Sequence, residues 1–519
     1  MRRVALIAVT MMPLASGMSW AQSTPTAAKA QTLEQQIRDW MSETLGPDVK
    51  LSKQLITVKA AGDHYDFTMP LGDGADAPLM TASGTPRSDG RWAIDNMRVP
   101  SPATFHITLP MKPSADAPMS RLGRMTYQMK VGQQSGQMTV DPTFATSNTS
   151  MSTMEDVEVD TVTAPIKQST HVDRASTSFV AQPAAAGRIN VAIQSSMEGY
   201  KLTSELPTAP APLSVGMGRI NLTSNIDNVS RERLVTLVQV IAKFASLMPA
   251  QGATPTDEQD ESAKAALAGL LPALTDLTTG LSFDESLENT TVAVGDMAGS
   301  LRLFRIGFST RVVDGLLQSS LDLGAEGLAL PELGLGTKVE LIPTKVSLRP
   351  VLSGVPTEAL AKMLNSAAAG SNGPAPDDIM ALFARGNVTA GLDSLVVDVA
   401  GSEMLAQGKV TVASPTDISG TAQISVTNLD QLQARIAADP DLAPSAPAII
   451  FLKGIGRTEQ NRMVWDVAYS HGKLMVNNQD MTMLMGGADA QAPQQDATPP
   501  TSSPTPSVQE GHRALRRRQ

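Results

Sequence analysis

Apolar and polar residues alternate one by one along much of this chain, and that period limits what the chain can fold into. The first example is a predicted hairpin, turning at Gly62 and Asp63, with apolar positions at Ile56, Val58, Ala60, Tyr65, Phe67 and Met69. Successive side chains of a strand point to opposite faces, so this period predicts strands with one apolar face and one wet face. A second hairpin is predicted over Met125–Val140, with a glycine-rich turn through Gly132 and Gly136. Similar stretches recur up to residue 222 and again between residues 301 and 476.

Amphipathic helices are predicted between these strands. Helical spacing of apolar residues predicts one helix from Thr32 to Leu45 and another over about Ser262–Leu277. Three further helices are each predicted to follow a strand, at Val229–Met248, Thr357–Ala369 and Leu429–Ala438. We therefore expect an α+β fold: a large body dominated by antiparallel β-sheet, several packed amphipathic helices and a disordered C-terminal tail.

Composition shifts divide the chain into segments. The expected order is a signal peptide (1–21), a linker (22–30), a β-rich N-terminal half with a terminal helix (31–248), a loop and helix connection (249–282), a β-rich C-terminal half (283–486) and a disordered Pro/Ser/Thr-rich tail with a basic end (487–519).

The first residues have the pattern of a secretory signal. Arg2 and Arg3 precede an apolar stretch from Val4 to Met18, and Ser19-Trp20-Ala21 places small residues at a cleavage site. A membrane anchor is the alternative, but Pro13 interrupts the stretch before the roughly 20 apolar residues that a span needs. We expect a chain exported across the inner membrane to the periplasm, with no transmembrane helix once the signal is removed.

Composition excludes several classes of protein. The net charge of -10 and the aromatic content of 3% argue against nucleic-acid binding, which needs basic surfaces and stacking rings. The absence of Cys excludes disulfides, thiolate metal sites and Cys nucleophiles. A core must therefore be built from aliphatic residues and an unusual 27 Met.

No recognisable catalytic constellation is present. The histidines are scattered, at His64, His106, His171, His471 and His512. Asp284-Glu285 and Asp377-Asp378 are adjacent acidic pairs, which point apart and are interpreted as solvated loop charges. The pair Gly216 and Gly218 lacks the third glycine of a nucleotide-binding loop and is interpreted as a turn. We predict no catalytic residue, no cofactor site and no metal site.

The C-terminal third carries a resemblance. Its segments are 408–412 (GKVTV), 419–432 (SGTAQISVTNLDQL) and 471–478 (HGKLMVNN). These resemble an uncharacterised domain-of-unknown-function family of secreted alphaproteobacterial proteins and, more remotely, YdgA-like envelope proteins, which share the closing hairpin. Asn478 stands where those proteins commonly have Gly, and Asn also tolerates a left-handed turn. The resemblance implies an envelope location and an extended β-rich body, and it transfers no catalytic residues.

These observations favour a non-catalytic secreted or periplasmic envelope protein with a structural or assembly role. Binding of an apolar ligand or lipid in the envelope is the alternative, because long one-sided strands rich in Met, Leu and Val offer much apolar surface. A secreted hydrolase is the second alternative. The partner would be an envelope lipid or an envelope protein. The basic tail end, Arg513 to Arg518, is expected either to touch an anionic membrane or to stay solvated.

Overall fold

The computed structural model describes residues 24–45, 56–71, 77–108, 124–140, 147–163, 166–205, 211–230, 232–237, 239–240, 277–330, 341–368 and 375–484. The predicted signal peptide (1–21), the predicted tail (487–519) and all but the last residue of the predicted helix at Ser262–Leu277 lie outside these residues.

Strands dominate the described part of the chain, where 21 of them form one sheet. They are β1 (Thr57–Ala61), β2 (His64–Pro70), β3 (Leu79–Pro86), β4 (Trp92–Arg98), β5 (Ala103–Thr108), β6 (Arg124–Val140), β7 (Ser147–Thr163), β8 (Ile166–Pro183), β9 (Arg188–Glu205), β10 (Leu213–Ser230), β11 (Gly280–Val294), β12 (Met297–Val313), β13 (Leu316–Glu326), β14 (Lys345–Pro356), β15 (Val388–Val399), β16 (Ser402–Ser414), β17 (Asp417–Thr427), β18 (Arg457–Glu459), β19 (Arg462–Ser470), β20 (Lys473–Val476) and β21 (Gln479–Asp480).

The sheet is an antiparallel meander. From β6 to β16 each strand pairs with the strand before it and the strand after it, and β17 pairs with β16 and β19. Strands β4 and β5 both pair with one edge of β6, and β18 and β20 share the outer edge of β19. The sheet continues across the predicted boundary at 249–282, because β10 pairs directly with β11. The two predicted halves are therefore parts of one sheet.

Helices are few and lie at strand ends and at one edge of the sheet. They are α1 (Ala27–Leu45), α2 (Thr357–Ala368), α3 (Pro376–Ala381), α4 (Leu429–Ala438) and α5 (Ala446–Ile455), and residues 232–237 and 239–240 are also helical. The predicted strand-to-helix connections before α2 and α4 are confirmed. The antiparallel sheet is confirmed as well, but the described chain is largely β rather than α+β.

The first helix covers the first edge of the sheet. The backbone N–H of Val58 on β1 donates to Glu34 Oε2 at 3.0 Å, and Arg38 Nη2 holds the other oxygen of Glu34 at 2.6 Å. An open edge strand is a template for aggregation, so this contact protects the end of the meander. The helix begins at Ala27, five residues before the predicted start at Thr32, and takes up the end of the predicted linker 22–30.

One predicted turn is part of a strand. Met125–Val140 was expected to form a hairpin with a glycine-rich turn through Gly132 and Gly136, but β6 runs through both glycines without a break. A Cβ on Gly132 would lie 2.9 Å from Asp156 Cβ, and one on Gly136 would lie 2.7 Å from Met97 Cβ. These glycines therefore admit close neighbours rather than reverse the chain.

The predicted closing hairpin, β19 and β20, is confirmed and is held by one side chain. Asn477 Oδ1 accepts a hydrogen bond from the backbone N–H of Asp466 at 2.9 Å. Asn477 Nδ2 donates to the carbonyl oxygens of Ile455 at 2.8 Å and Val464 at 3.0 Å. Asn477 and Asn478 have φ values of 47° and 64°, so the predicted left-handed turn is also confirmed.

We expect Asn477→Ala to lower the free energy of unfolding by about 2 kcal/mol, because three part-buried backbone groups lose their partner. The matched control is Asn478→Gly, which keeps the left-handed turn and should change stability by less than about 0.5 kcal/mol. Urea unfolding followed by circular dichroism measures both values. Equal stabilities for the two variants would show that the side chain of Asn477 does not hold the hairpin.

Candidate binding face

The strands from β10 to β17 have two chemically different faces. Residues directly opposite each other on paired strands point to the same side of a sheet. One transverse line of such partners, crossing all eight of these strands, consists of Ile220, Leu287, Phe304, Ala325, Val346, Val397, Met404 and Val426. We call this side of β10–β17 the apolar face.

The opposite side, the polar face, carries ion pairs between neighbouring strands. Arg305 Nη2 lies 2.7 Å from Asp284 Oδ2, and Arg349 Nε on β14 lies 3.8 Å from Asp393 Oδ2 on β15. The hydrogen bond to Asp284 raises the pKa of Arg305. These pairs are solvent-exposed, so they fix register more than they add stability.

A line of left-handed residues crosses the long strands. Asp156 on β7, Gly199 on β9 and Asn289 on β11 have φ values of 53°, 63° and 54°. The registers place Gly218 of β10 between Gly199 and Asn289. We call these three left-handed residues the kink line. Each lies inside a strand and leaves the register on both sides of it unchanged.

The kink line keeps the apolar side chains on one side of the sheet. Residues three apart in a regular strand face opposite sides. Next to the kink line, however, such pairs share one hydrophobic cluster, and they are Met154 with Val157, Val172 with Ala175, and Met197 with Tyr200. The alternation therefore shifts by one position along this line, at the left-handed Asp156 and Gly199 and at Asp173 opposite them on β8, while the registers stay the same. Strands of 17 or 18 residues can thereby present a single apolar side.

The apolar face is covered by a helix at its β17 end and is accessible farther along the sheet. Helix α5 lies at that end, where Trp465 Nε1 donates to the Leu452 carbonyl at 2.8 Å and the Trp465 side chain packs with Val426. Away from that end, large apolar side chains are accessible in the described structure: Phe308 is 38% exposed, Leu352 36% and Val410 44%. Exposed apolar side chains gathered on one side of a sheet are typical of an interaction site.

One carboxylate lies on this face. Glu285 is opposite Leu222 on β10 and Ile306 on β12, and it alternates along β11 with Asp284 on the polar face. It is the one carboxylate that register and alternation place on the apolar face among the described residues of β10–β17. Arg302 has the same alternation as Phe304, but its guanidinium pairs with Glu326, which lies beside Lys345 on the polar face. Its side chain is half-buried and makes no hydrogen bond or ion pair with a described residue.

The histidines whose side chains the structure describes do not come together in one site. Carboxylates occupy both ring nitrogens of His64, with Asp63 at 2.9 Å and Asp66 at 3.2 Å, and the hydrogen bond to Asp63 raises the pKa of the imidazole. His171 lies 3.0 Å from Asp173, and His471 lies in the exposed turn after β19. The side chain of His106 and all of His512 lie outside the described residues. A triad needs a hydroxyl on one ring nitrogen, which the carboxylates around His64 exclude.

The acidic pairs and the glycine pair lie in other structural elements than the sequence predicted. Asp284 and Glu285 point apart as predicted, but they lie in the middle of β11 rather than in a loop. Asp377 and Asp378 lie in the first turn of α3, where acidic side chains interact favourably with the helix dipole. Gly218 lies inside β10 rather than in a turn. The described residues contain no group of three or more metal-ligating side chains.

Sequence reasoning missed the kink line and the special place of Glu285. The signal for the kink was a shift of the apolar alternation by one position at an isolated Asp, Gly or Asn. The position of Glu285 on the apolar face could be recognised only from the register of three strands.

No described helix is long and apolar enough to cross a bilayer. No family model, curated protein or solved structure matches the chain, so the family resemblance stays a prediction.

The kink line predicts an unusual ranking of substitutions at Asn289. Asn289→Val should lower the free energy of unfolding by about 1 to 2 kcal/mol, because a β-branched residue resists left-handed φ. Asn289→Gly should stay within about 0.5 kcal/mol of the parent protein, although glycine ordinarily weakens a strand. Chemical denaturation measures both. A more stable valine variant would contradict the left-handed conformation at this position.

Proposed function

We propose that this chain is a non-catalytic envelope protein that holds the acyl chain of a lipid against the apolar face of β10–β17. The accessible Phe308, Leu352 and Val410 support the proposal, because register and alternation place all three on the apolar face. Helix α5 covers the β17 end of this face and limits the accessible surface on that side. This interpretation develops the apolar-ligand alternative drawn from the sequence.

An exported, periplasmic location is part of the proposal. It rests on the signal-like residues 1–21 and on the resemblance of the closing hairpin to YdgA-like envelope proteins. The structural or assembly role is the competing hypothesis, in which a second envelope protein would cover the same face. An apolar face is compatible with both, so the experiment must identify what covers it.

Lipid content separates the two hypotheses. Protein purified from its own host without detergent should carry lipid in stoichiometric amount, detected by native mass spectrometry and by solvent extraction. Protein that is free of lipid, and that binds no added fluorescent fatty alcohol, would favour the assembly role. Turnover in a screen of esters and glycosides would instead support the hydrolase alternative.

A pair of neighbouring residues tests which face binds. Phe308→Ser removes part of the accessible apolar surface and should weaken binding of a fluorescent fatty alcohol about fivefold. Ser309 lies on the polar face, where its hydroxyl is 2.8 Å from that of Ser320. The control Ser309→Ala should leave the affinity unchanged. Equal affinities for the two variants would place the ligand elsewhere.

A further inference from the structure

The single carboxylate on the apolar face has an unusual environment. Phe283 and Leu287 flank Glu285 along β11, and Leu222 and Ile306 lie opposite it on the two neighbouring strands. Its immediate neighbours on that side of the sheet are therefore all apolar. On the polar face, by contrast, the adjacent Asp284 is paired with Arg305. A carboxylate that is partly desolvated and has no cationic partner is unfavourable by comparison with a paired one.

Charge complementarity identifies the group that this carboxylate can accept. A carboxylate only accepts hydrogen bonds when ionised, and its strongest partners are cationic donors such as an ammonium group. An anionic headgroup would be repelled at the same position. We infer, resting on the proposed function, that the ligand is a lipid-like amphiphile whose ammonium group binds Glu285 while its hydrocarbon chain lies on the apolar face.

The registers also give the direction of the chain. Ile306, Leu323 and Leu348 follow Glu285 in one uninterrupted transverse line from β11 to β14. Paired strands are about 4.8 Å apart, so this line is about 14 Å long. The acyl chain of one leaflet spans about 15 Å, half of the hydrocarbon core of a bilayer. A single chain with its ammonium group at Glu285 therefore fits over these three side chains.

Three probes with the same hydrocarbon chain test the assignment: dodecylamine, dodecanol and dodecanoate. With the full-length protein near pH 7, competition against a bound fluorescent fatty alcohol should show about tenfold tighter binding of the amine than of the alcohol. The carboxylate probe should bind more weakly than the alcohol, because two negative charges would then be close together.

Glu285→Gln is the decisive variant, since it removes the charge and keeps the shape. The amine should lose its about tenfold advantage in this variant, while the affinity for dodecanol stays the same. The matched control is Asp284→Asn, the same change of charge one residue away on the polar face, which should keep the preference for the amine. Circular dichroism checks that both variants retain their strands.

A second pair tests the position of the chain. Leu323→Ala should weaken all three probes to a similar extent, and Asp322→Ala on the polar face should weaken none. Equal binding of amine and alcohol by the parent protein, or an amine preference that survives in Glu285→Gln, would overturn the assignment while leaving apolar binding intact. Failure of every probe to bind would instead overturn the proposed function itself.

Discussion

The alternation of side chains between the two faces of a strand is the constraint on which this structure depends. A strand offers only two sides, and one-sided apolar character must be kept over strands of 17 or 18 residues. Strands in most proteins are about 5 or 6 residues long, so this problem rarely arises. Here the left-handed residues Asp156, Gly199 and Asn289 reset the alternation where it would otherwise fail. The cluster that joins Met154 to Val157 is the result.

The same constraint explains which parts of the fold were predictable. Short hairpins such as β1–β2 and β19–β20 have unbroken alternation and explicit turn residues, so local pattern was sufficient. The helices α2 and α4 follow from helical spacing directly after a strand. Gly132 was misinterpreted because its role depends on Asp156 of the neighbouring strand. When the role of a residue depends on its neighbour in another strand, that role cannot be predicted from the residue's own segment of sequence.

The candidate site was harder to predict from the sequence than the fold was. The excess of Met, Leu and Val on alternating positions indicated apolar surface, but it could not say which side chains share a face across eight strands. Asp284 and Glu285 illustrate the limit, because they are chemically similar neighbours in the sequence. The pairing of Asp284 with Arg305 places the first on the polar face, and the registers place Glu285 between Leu222 and Ile306 on the other.

A carboxylate has different surroundings on the polar face and on the apolar face. On the polar face, a carboxylate has both water and an arginine of the next strand, so a change of either partner costs little. On the apolar face, Glu285 replaces what would be another aliphatic residue between Leu222 and Ile306. Leucine at this position would extend the apolar face and pack against both neighbours, so folding alone does not require a carboxylate there. The fold supplies no cationic partner for this carboxylate among the described residues, and the ammonium group of the proposed ligand would supply one.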